Sequence, residues 1–360
     1  MTRPARVVID LAALQHNLSR IRSLAPVSKV MAIVKADAYG HGIERIARSL
    51  PAVDAFGVAC LDEAEQLRLL GITHPILLLE GAYSAAELVR IQVLNLDIVV
   101  HHEYQLLMLE HASLPSPVKV WLKVDSGMHR LGFHPADVAS AWQRLRQCQN
   151  VAEWPRLMTH FAAANERDNA MTAEQLRNFN TACGHIKAEL SLANSAAILA
   201  WPQTHGDWVR PGLMLYGVSP MQNETAAELG LRPVMSLLSE LISVKYLQRG
   251  ESVGYGASWR CPEAMPVGIV AAGYADGFPR HAGTGTPIII NGQRASIIGN
   301  TSMDMLAVDL RGVRNARVGD PVELWGAGLP IEEIAQHAGT IPYELLCGVH
   351  KRLDFVEKYG

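Results

Sequence analysis

An excess of charge of either sign is missing from this sequence. Its 360 residues carry 32 Lys and Arg against 35 Asp and Glu, a net charge of −3. No basic stripe breaks the balance, which argues against nucleic acid as a main partner. Long apolar runs are missing as well. Nothing approaches the roughly 20 residues that span a bilayer, and Met1-Thr2-Arg3-Pro4-Ala5-Arg6 passes directly into Val7-Val8-Ile9 with no secretory leader between. Paired cysteines are missing too. Cys60, Cys148, Cys183, Cys261 and Cys347 are odd in number, widely spaced and without a Cys-x-x-Cys pair. That is the pattern of reduced thiols in a cytoplasmic protein, and it excludes a disulfide framework or zinc site.

Several catalytic signatures are also lacking. His102-Glu103 is followed at position 106 by Leu106, so there is no zinc-protease helix. No Gly-x-Ser-x-Gly elbow or P-loop occurs. Gly254-Tyr255-Gly256 and Gly283-Thr284-Gly285 lack the third glycine of a dinucleotide fingerprint, having Trp259 and Ile288 there. The 14 histidines are scattered, and no metal is expected. No internal repeat stands out.

What is present is a regular alternation. A chain of this length exceeds one ordinary hydrophobic core, and 49% hydrophobic with 19% charged residues is a globular composition. Near-continuous apolar runs fall at Lys29–Ala36, Ala55–Cys60, Pro75–Leu79, Asp97–His101, Val118–Val124, Leu157–Phe161, Leu190–Asn194 and Asp207–Pro211. Unbroken runs suit parallel strands covered on both faces. Helical patterns separate them, among them Leu11–Leu24, Gly42–Leu50, Leu61–Leu70, Glu103–Glu110, Ala136–Cys148 and Thr172–Ala188, with Asp10 as an N-cap for the first. Eight such units predict a (β/α)₈ barrel, taken here as residues 1–225. From 226 to 360 the chain reads as a mainly-β domain: Met235–Leu247, Val267–Ala272, Thr286–Ile290, Arg294–Ile298, Met305–Leu310 and Pro321–Trp325, with Asn291-Gly292 as a hairpin turn.

Barrels place chemistry at the C-terminal ends of their strands. The first ends in Val34-Lys35-Ala36-Asp37-Ala38-Tyr39-Gly40-His41-Gly42, a lysine followed by a Gly-flanked loop suited to an anion. The fifth ends in Lys123-Val124-Asp125, where alternation puts Lys123 and Asp125 on one face as an ordinary ion pair. The sixth gives Thr159-His160, the seventh Asn194-Ser195, where Ser195 could be a helix cap, and the eighth Arg210-Pro211-Gly212-Leu213. Singly, each has a structural explanation: a snorkelling lysine, a satisfied core histidine, a cap. Five strand ends carrying polar residues together mark an active site.

The string Val34 to Gly42 resembles the pyridoxal-phosphate lysine motif of the alanine racemases. The resemblance continues through Met128-His129-Arg130-Leu131-Gly132, Asp207-Trp208-Val209-Arg210-Pro211-Gly212, Leu215-Tyr216-Gly217, Val253-Gly254-Tyr255-Gly256, Gly273-Tyr274-Ala275-Asp276-Gly277, Ser302-Met303-Asp304-Met305 and Pro342-Tyr343-Glu344-Leu345. It implies a barrel followed by a β domain, a homodimer with shared sites, and pyridoxal 5′-phosphate bonded to Lys35. By the same resemblance Tyr39, Ser195, Gly212, Leu213 and Tyr343 hold the phosphate, Arg210 faces the pyridine nitrogen, and His160 and Asn194 lie nearby. Arg130 serves the phenolic oxygen and the substrate carboxylate, and the Met303 amide serves that carboxylate. Tyr255 is the second base, Tyr274, Arg280 and Asp304 line the entrance, and Lys123 is a candidate for carbamylation. Two departures stand out: Asn300 where many members have Arg, and Ser191 where some have His.

Racemisation removes a proton from one face of Cα and returns one to the other, so two bases on opposite faces are needed. Free lysine and tyrosine titrate near 10.4 and 10, so their surroundings must favour the basic forms. The resemblance thus implies an isomerase acting on alanine, with a broader-specificity racemase, a fold-related amino-acid decarboxylase and a non-catalytic cofactor carrier as rivals. A decarboxylase would typically set a carboxylate, not Arg210, at the pyridine nitrogen, and a carrier would lack the second domain.

Overall fold

A computed structural model describes residues 3–359, in two compact units. One takes in Leu18–Leu215 and Pro220–Asn223; the other takes in the described residues up to Asn17, Tyr216–Ser219 and those from Glu224 on.

Strand β1 (Arg6–Asp10) is followed by the helix Leu11–Leu24, whose first turn is held by Asp10 Oδ1 accepting from the Ala13 N–H at 2.8 Å. The first unit is a closed parallel barrel of β2 (Lys29–Ile33), β3 (Ala55–Val58), β4 (Ile76–Leu78), β5 (Asp97–Val100), β6 (Val118–Lys123), β7 (Val151–Met158), β8 (Leu190–Asn194) and β9 (Trp208–Arg210). All residues of β3, β4 and β5 are buried, the signature of strands covered on both faces. The expected barrel is therefore present, with local differences. The sixth barrel strand begins at Val151 instead of Leu157, because Pro155, which has no N–H to donate, sits where the β6–β7 register shifts and breaks the apolar run. The helix expected between the third and fourth strands spans Ala85–Val93 and lacks a clean apolar face, since Val89 and Val93 lie exposed on it. The eighth strand is followed by a turn, not a helix.

The second unit is built on β10 (Met235–Leu247), whose first seven residues alternate buried and half-buried, the period-two pattern of a one-sided sheet. It pairs with β13 (Met265–Val270) and β17 (Pro321–Trp325). The ladder continues through β16 (Leu306–Asp309), β15 (Gln293–Ile297) and β14 (Pro287–Ile290), so the pairing returns on itself. A small ribbon, β11 (Ser252–Val253) with β12 (Trp259–Arg260), stands apart. Asn291 and Gly292, at φ 47° and 73°, form the two-residue hairpin between β14 and β15, as expected. Strand β1 also joins this sheet, antiparallel to β10 and parallel to β18 (Asp354–Lys358). Its alternation, with Val7 and Ile9 fully buried, is that of the sheet and not of the barrel. Among the described residues, no helix is long and apolar enough to cross a membrane.

Candidate active site

Strand β2 stops at Ile33, and the chain then does something rare for L-residues. Ala36, Asp37, Ala38 and Tyr39 all have φ between 53° and 55°, a turn of left-handed helix closed by Gly40 at φ 76°. Each such residue costs about 1–2 kcal/mol, so neighbours must hold the turn. Glu63 Oε1 accepts from the Ala36 N–H at 2.7 Å and Asp37 Oδ1 from the Ile43 N–H at 2.7 Å. The buried His41 ring offers Nδ1 to the carbonyls of Ala38 and Tyr39 at 3.0 and 2.9 Å. Carbonyls only accept, so Nδ1 carries the proton, and burial lowers the His41 pKa to about 4. The ring is a neutral clip. Lys35 and Tyr39 bracket this turn.

Four cations converge at the barrel mouth: Lys35, Lys123, Arg130 and Arg210. Burial first, then the charges of Arg210, Arg130 and Lys35, lower the Lys123 pKa to about 8. The same four cations, added to desolvation, hold His160 well below its ordinary value. None of the four cations forms an ion pair among the described residues. The expected Lys123–Asp125 pair is absent. Strand β6 ends at Lys123, the alternation ends with it, and Asp125 turns to its own loop, accepting from the Gly127 and His129 N–H groups at 3.1 and 3.0 Å.

Arg210 is buried and its donors go to neutral acceptors: Ser191 O and Oγ at 2.7 Å each, Thr159 O at 2.6 Å and Leu192 O at 3.2 Å. Burial without a carboxylate lowers its pKa to about 10, so it stays protonated at neutral pH. Arg210 Nη2 lies 3.5 Å from His160 Nδ1, and Asn194 Nδ2 lies 3.4 Å from His160 Nε2. Gln175 Nε2 donates to His160 O at 3.0 Å, and Thr159 Oγ1 meets Ser126 Oγ at 2.8 Å. Sequence reading gave Gln175 and Ser126 no part here, because a helix glutamine and a loop serine carry no signal of their own.

Asn194, not Ser195, caps the helix Ser195–Ala200, accepting from the Ala197 N–H at 3.0 Å. Ser195 Oγ instead accepts from the Gly212 and Met214 N–H groups at 2.9 and 3.3 Å, which leaves its own proton to be donated elsewhere. The buried Leu213 N–H between them has no acceptor among the described residues. A Cβ on Gly212 would stand 2.5 Å from Tyr39 Oη, so only glycine admits that hydroxyl. An orphaned amide, a hydroxyl with a free proton and a phenol in one cradle, beside four unpaired cations, fit a phosphorylated anionic cofactor.

The other predicted residues belong to the second unit. Tyr255 follows Gly254 (φ 73°) in a short turn and is 71% exposed; Asn300 Nδ2 donates to its carbonyl at 3.0 Å. Asn300, noted only as a departure, thus holds the backbone of Tyr255. Tyr274 and Met303 are partly exposed and Arg280 is exposed. Asp304 pairs with Arg352 at 2.7 Å. Burial raises the Tyr343 pKa, keeping its hydroxyl a donor.

Comparison with known proteins agrees in both units. The alanine racemase N-terminal domain family matches residues 9–220, and the alanine racemase C-terminal domain family matches residues 234–357. The alanine racemase of Nitrosococcus oceani is 51% identical over 97% of this chain and 98% of its own, and that of Vibrio cholerae is 51% identical over 99% of each. The crystal structure of biosynthetic alanine racemase from Pseudomonas aeruginosa superposes with a TM-score of 0.96 at 47% identity, covering 100% of both chains. The Acinetobacter baumannii alanine racemase gives a TM-score of 0.92 at 38% identity over 99% of this chain and 100% of its own.

Proposed function

The chain belongs to the alanine racemase family, and from that premise we propose that Lys35 and Tyr255 are its two proton-transfer groups. The enzyme is a pyridoxal 5′-phosphate-dependent isomerase that interconverts L-alanine and D-alanine. When bound, the cofactor supplies the electron sink that stabilises the carbanion at Cα. Everything else falls to the chain's own residues.

Lys35 carries the cofactor and exchanges the proton of D-alanine on one face; Tyr255 exchanges that of L-alanine on the other, with His160 near it. The phosphate is held by Ser195 Oγ, Tyr39, Tyr343 and the Leu213 N–H, with the Gly212 N–H orienting Ser195. Arg210 donates a hydrogen bond to the pyridine nitrogen without surrendering its proton. Arg130 and the Met303 amide orient the substrate carboxylate, while Tyr274, Arg280 and Asp304 line the way in. Lys123, buried and surrounded by cations, adds as the neutral amine to the carbon of CO₂ and loses one N–H proton to solvent, and the resulting anionic carbamate pairs with Arg130. The observation that carries this reading is the set of four cations without a carboxylate partner beside an empty-handed Leu213 amide.

The balanced charge and the lack of any helix long and apolar enough to cross a membrane, among the described residues, support a cytoplasmic enzyme. Its likeness to relatives named alanine racemase along their whole length supports a homodimer with shared sites. The likeness to an enzyme called biosynthetic supports D-alanine supply as its role. Incubation with L-alanine and pyridoxal phosphate alone should yield D-alanine up to an equal mixture. Ethylamine and CO₂ would mean a decarboxylase, and no turnover would mean a carrier.

A further inference from the structure

In the second unit one charge network is built around a fully buried carboxylate and reaches outward through half-exposed arginines to Asp304. Asp276 has 0% exposure. Arg3 grips it with a two-pronged fork, Nη1 to Oδ1 at 2.8 Å and Nη2 to Oδ2 at 3.0 Å. Arg352 Nε donates to Oδ1 at 2.8 Å, and the Gly273 N–H donates to Oδ2 at 2.9 Å. Both arginines then reach on to Asp304: Arg3 Nη2 to its carbonyl at 2.9 Å, Arg352 Nη2 to its Oδ1 at 2.7 Å. Two guanidiniums and two carboxylates therefore alternate, with charges balanced.

The network closes over two loops stacked backbone on backbone. The Tyr274 N–H donates to Ser302 O at 3.1 Å and the Ala275 N–H to Met303 O at 3.0 Å. A Cβ on Gly273 would stand 2.3 Å from Ser302 O and 2.4 Å from Met303 O, so the loops approach as only glycine allows. The Met303 N–H, in the middle of this arrangement, has no acceptor among the described residues. Buried ion pairs add little net stability, because desolvation offsets most of their attraction. Their effect here is on geometry: forked hydrogen bonds fix both distance and angle.

We propose that Arg3, Arg352 and Asp276 are positioning residues for racemisation. Through Asp304 they hold the 301–305 loop so that the Met303 N–H is presented to the substrate carboxylate in one orientation. The inference rests on the reading that Met303 binds that carboxylate. Arginine variants are the safer probes, since Asp276→Asn would leave two guanidiniums converging on a neutral amide at a fully buried position. In the holoenzyme, Arg3→Ala and Arg352→Ala should each raise the KM of both enantiomers, and the inhibition constant of propionate, by roughly tenfold. Propionate offers the carboxylate without the amine. The turnover number should change less than about twofold, and cofactor affinity not at all, since these residues hold neither base nor phosphate. Arg3→Lys, with one contact in place of a fork, should fall between. Met303→Pro, which deletes the amide hydrogen, separates the two ideas. If it leaves propionate inhibition unchanged, the carboxylate assignment fails and the proposal with it. If it weakens inhibition while the arginine variants do not, the assignment stands and the positioning role is overturned.

Discussion

Replacing Lys123 by methionine keeps the unbranched stem and removes only the ammonium. Lys123 as a whole is 7% exposed, and its pKa is brought from 10.5 to about 8 by burial and by Arg210, Arg130 and Lys35. At about 1.4 kcal/mol per pH unit, the gap corresponds to roughly 3 kcal/mol. Its sign follows from linkage. The folded state holds this proton less tightly than the unfolded chain does, so the cost to folding is fully present below pH 8. It shrinks as pH rises through 8 toward 10.5, and above that it is gone. In cofactor-free protein without CO₂, Lys123→Met should be more stable than wild type by roughly 3 kcal/mol at pH 7 and equal to it near pH 10.5. Urea unfolding of both proteins at one fixed concentration across that range measures the difference directly. Added bicarbonate should then stabilise wild type alone, because a carbamate converts repulsion among the cations into attraction. A stability difference that does not vary with pH would refute the penalty on the ammonium, and no response to bicarbonate would remove the carbamate.

Arg210→Glu should lower racemisation roughly 10²-fold or more while raising half-transamination relative to it, because a protonated pyridine prolongs the carbanion; an unchanged product ratio would contradict the role given to Arg210. In Tyr255→Phe, proton NMR in D₂O should show α-hydrogen exchange from L-alanine falling by roughly 10²–10⁴-fold while D-alanine still exchanges without inversion; equal loss from both would count against two bases. Lys35→Ala mixed with Tyr255→Phe under subunit exchange should recover about a quarter of wild-type activity if each site draws on both chains. No recovery despite proven exchange would place both groups in one chain.

Much of this was legible because the physics involved is local. Continuous burial of β3, β4 and β5 leaves an unbroken apolar run in the sequence, and the Asn291-Gly292 turn needs positive φ at both residues. Where the reading slipped, a non-local term had won. Val7-Val8-Ile9 falls within residues 1–225, taken as the barrel, yet its strand partners, β10 and β18, lie more than 220 residues away. Pro155 hid most of β7, and exposed valines blurred the apolar face of the helix Ala85–Val93. At the site, the strand-end polar residues announced themselves, but the Lys123–Asp125 pair did not survive. Alternation is a rule for strands, and the strand ended two residues too early for it. Nothing in the sequence forecasts four successive left-handed residues after Lys35, since three of them are Ala or Asp with no glycine among them.

That turn and the cation cluster bear on each other. A left-handed segment at about 1–2 kcal/mol per residue and a Lys123 ammonium costing roughly 3 kcal/mol both weaken the barrel mouth in the cofactor-free protein. The local offsets are small: Glu63, Asp37 and His41 hold the turn through a few hydrogen bonds, and the charge of Glu80 favours the Lys123 ammonium less than burial and the cations oppose it. A bound anion with several acceptor oxygens offsets both. In the proposed site it would accept hydrogen bonds from the Leu213 N–H and the Ser195 hydroxyl, and lower the repulsion among Lys35, Lys123, Arg130 and Arg210. The site is thus strained in the direction that its ligand relieves. The same charge that burdens the free protein favours the neutral form of Lys123. Strain and reactivity here have one cause, so relieving the first by removing a cation should diminish the second.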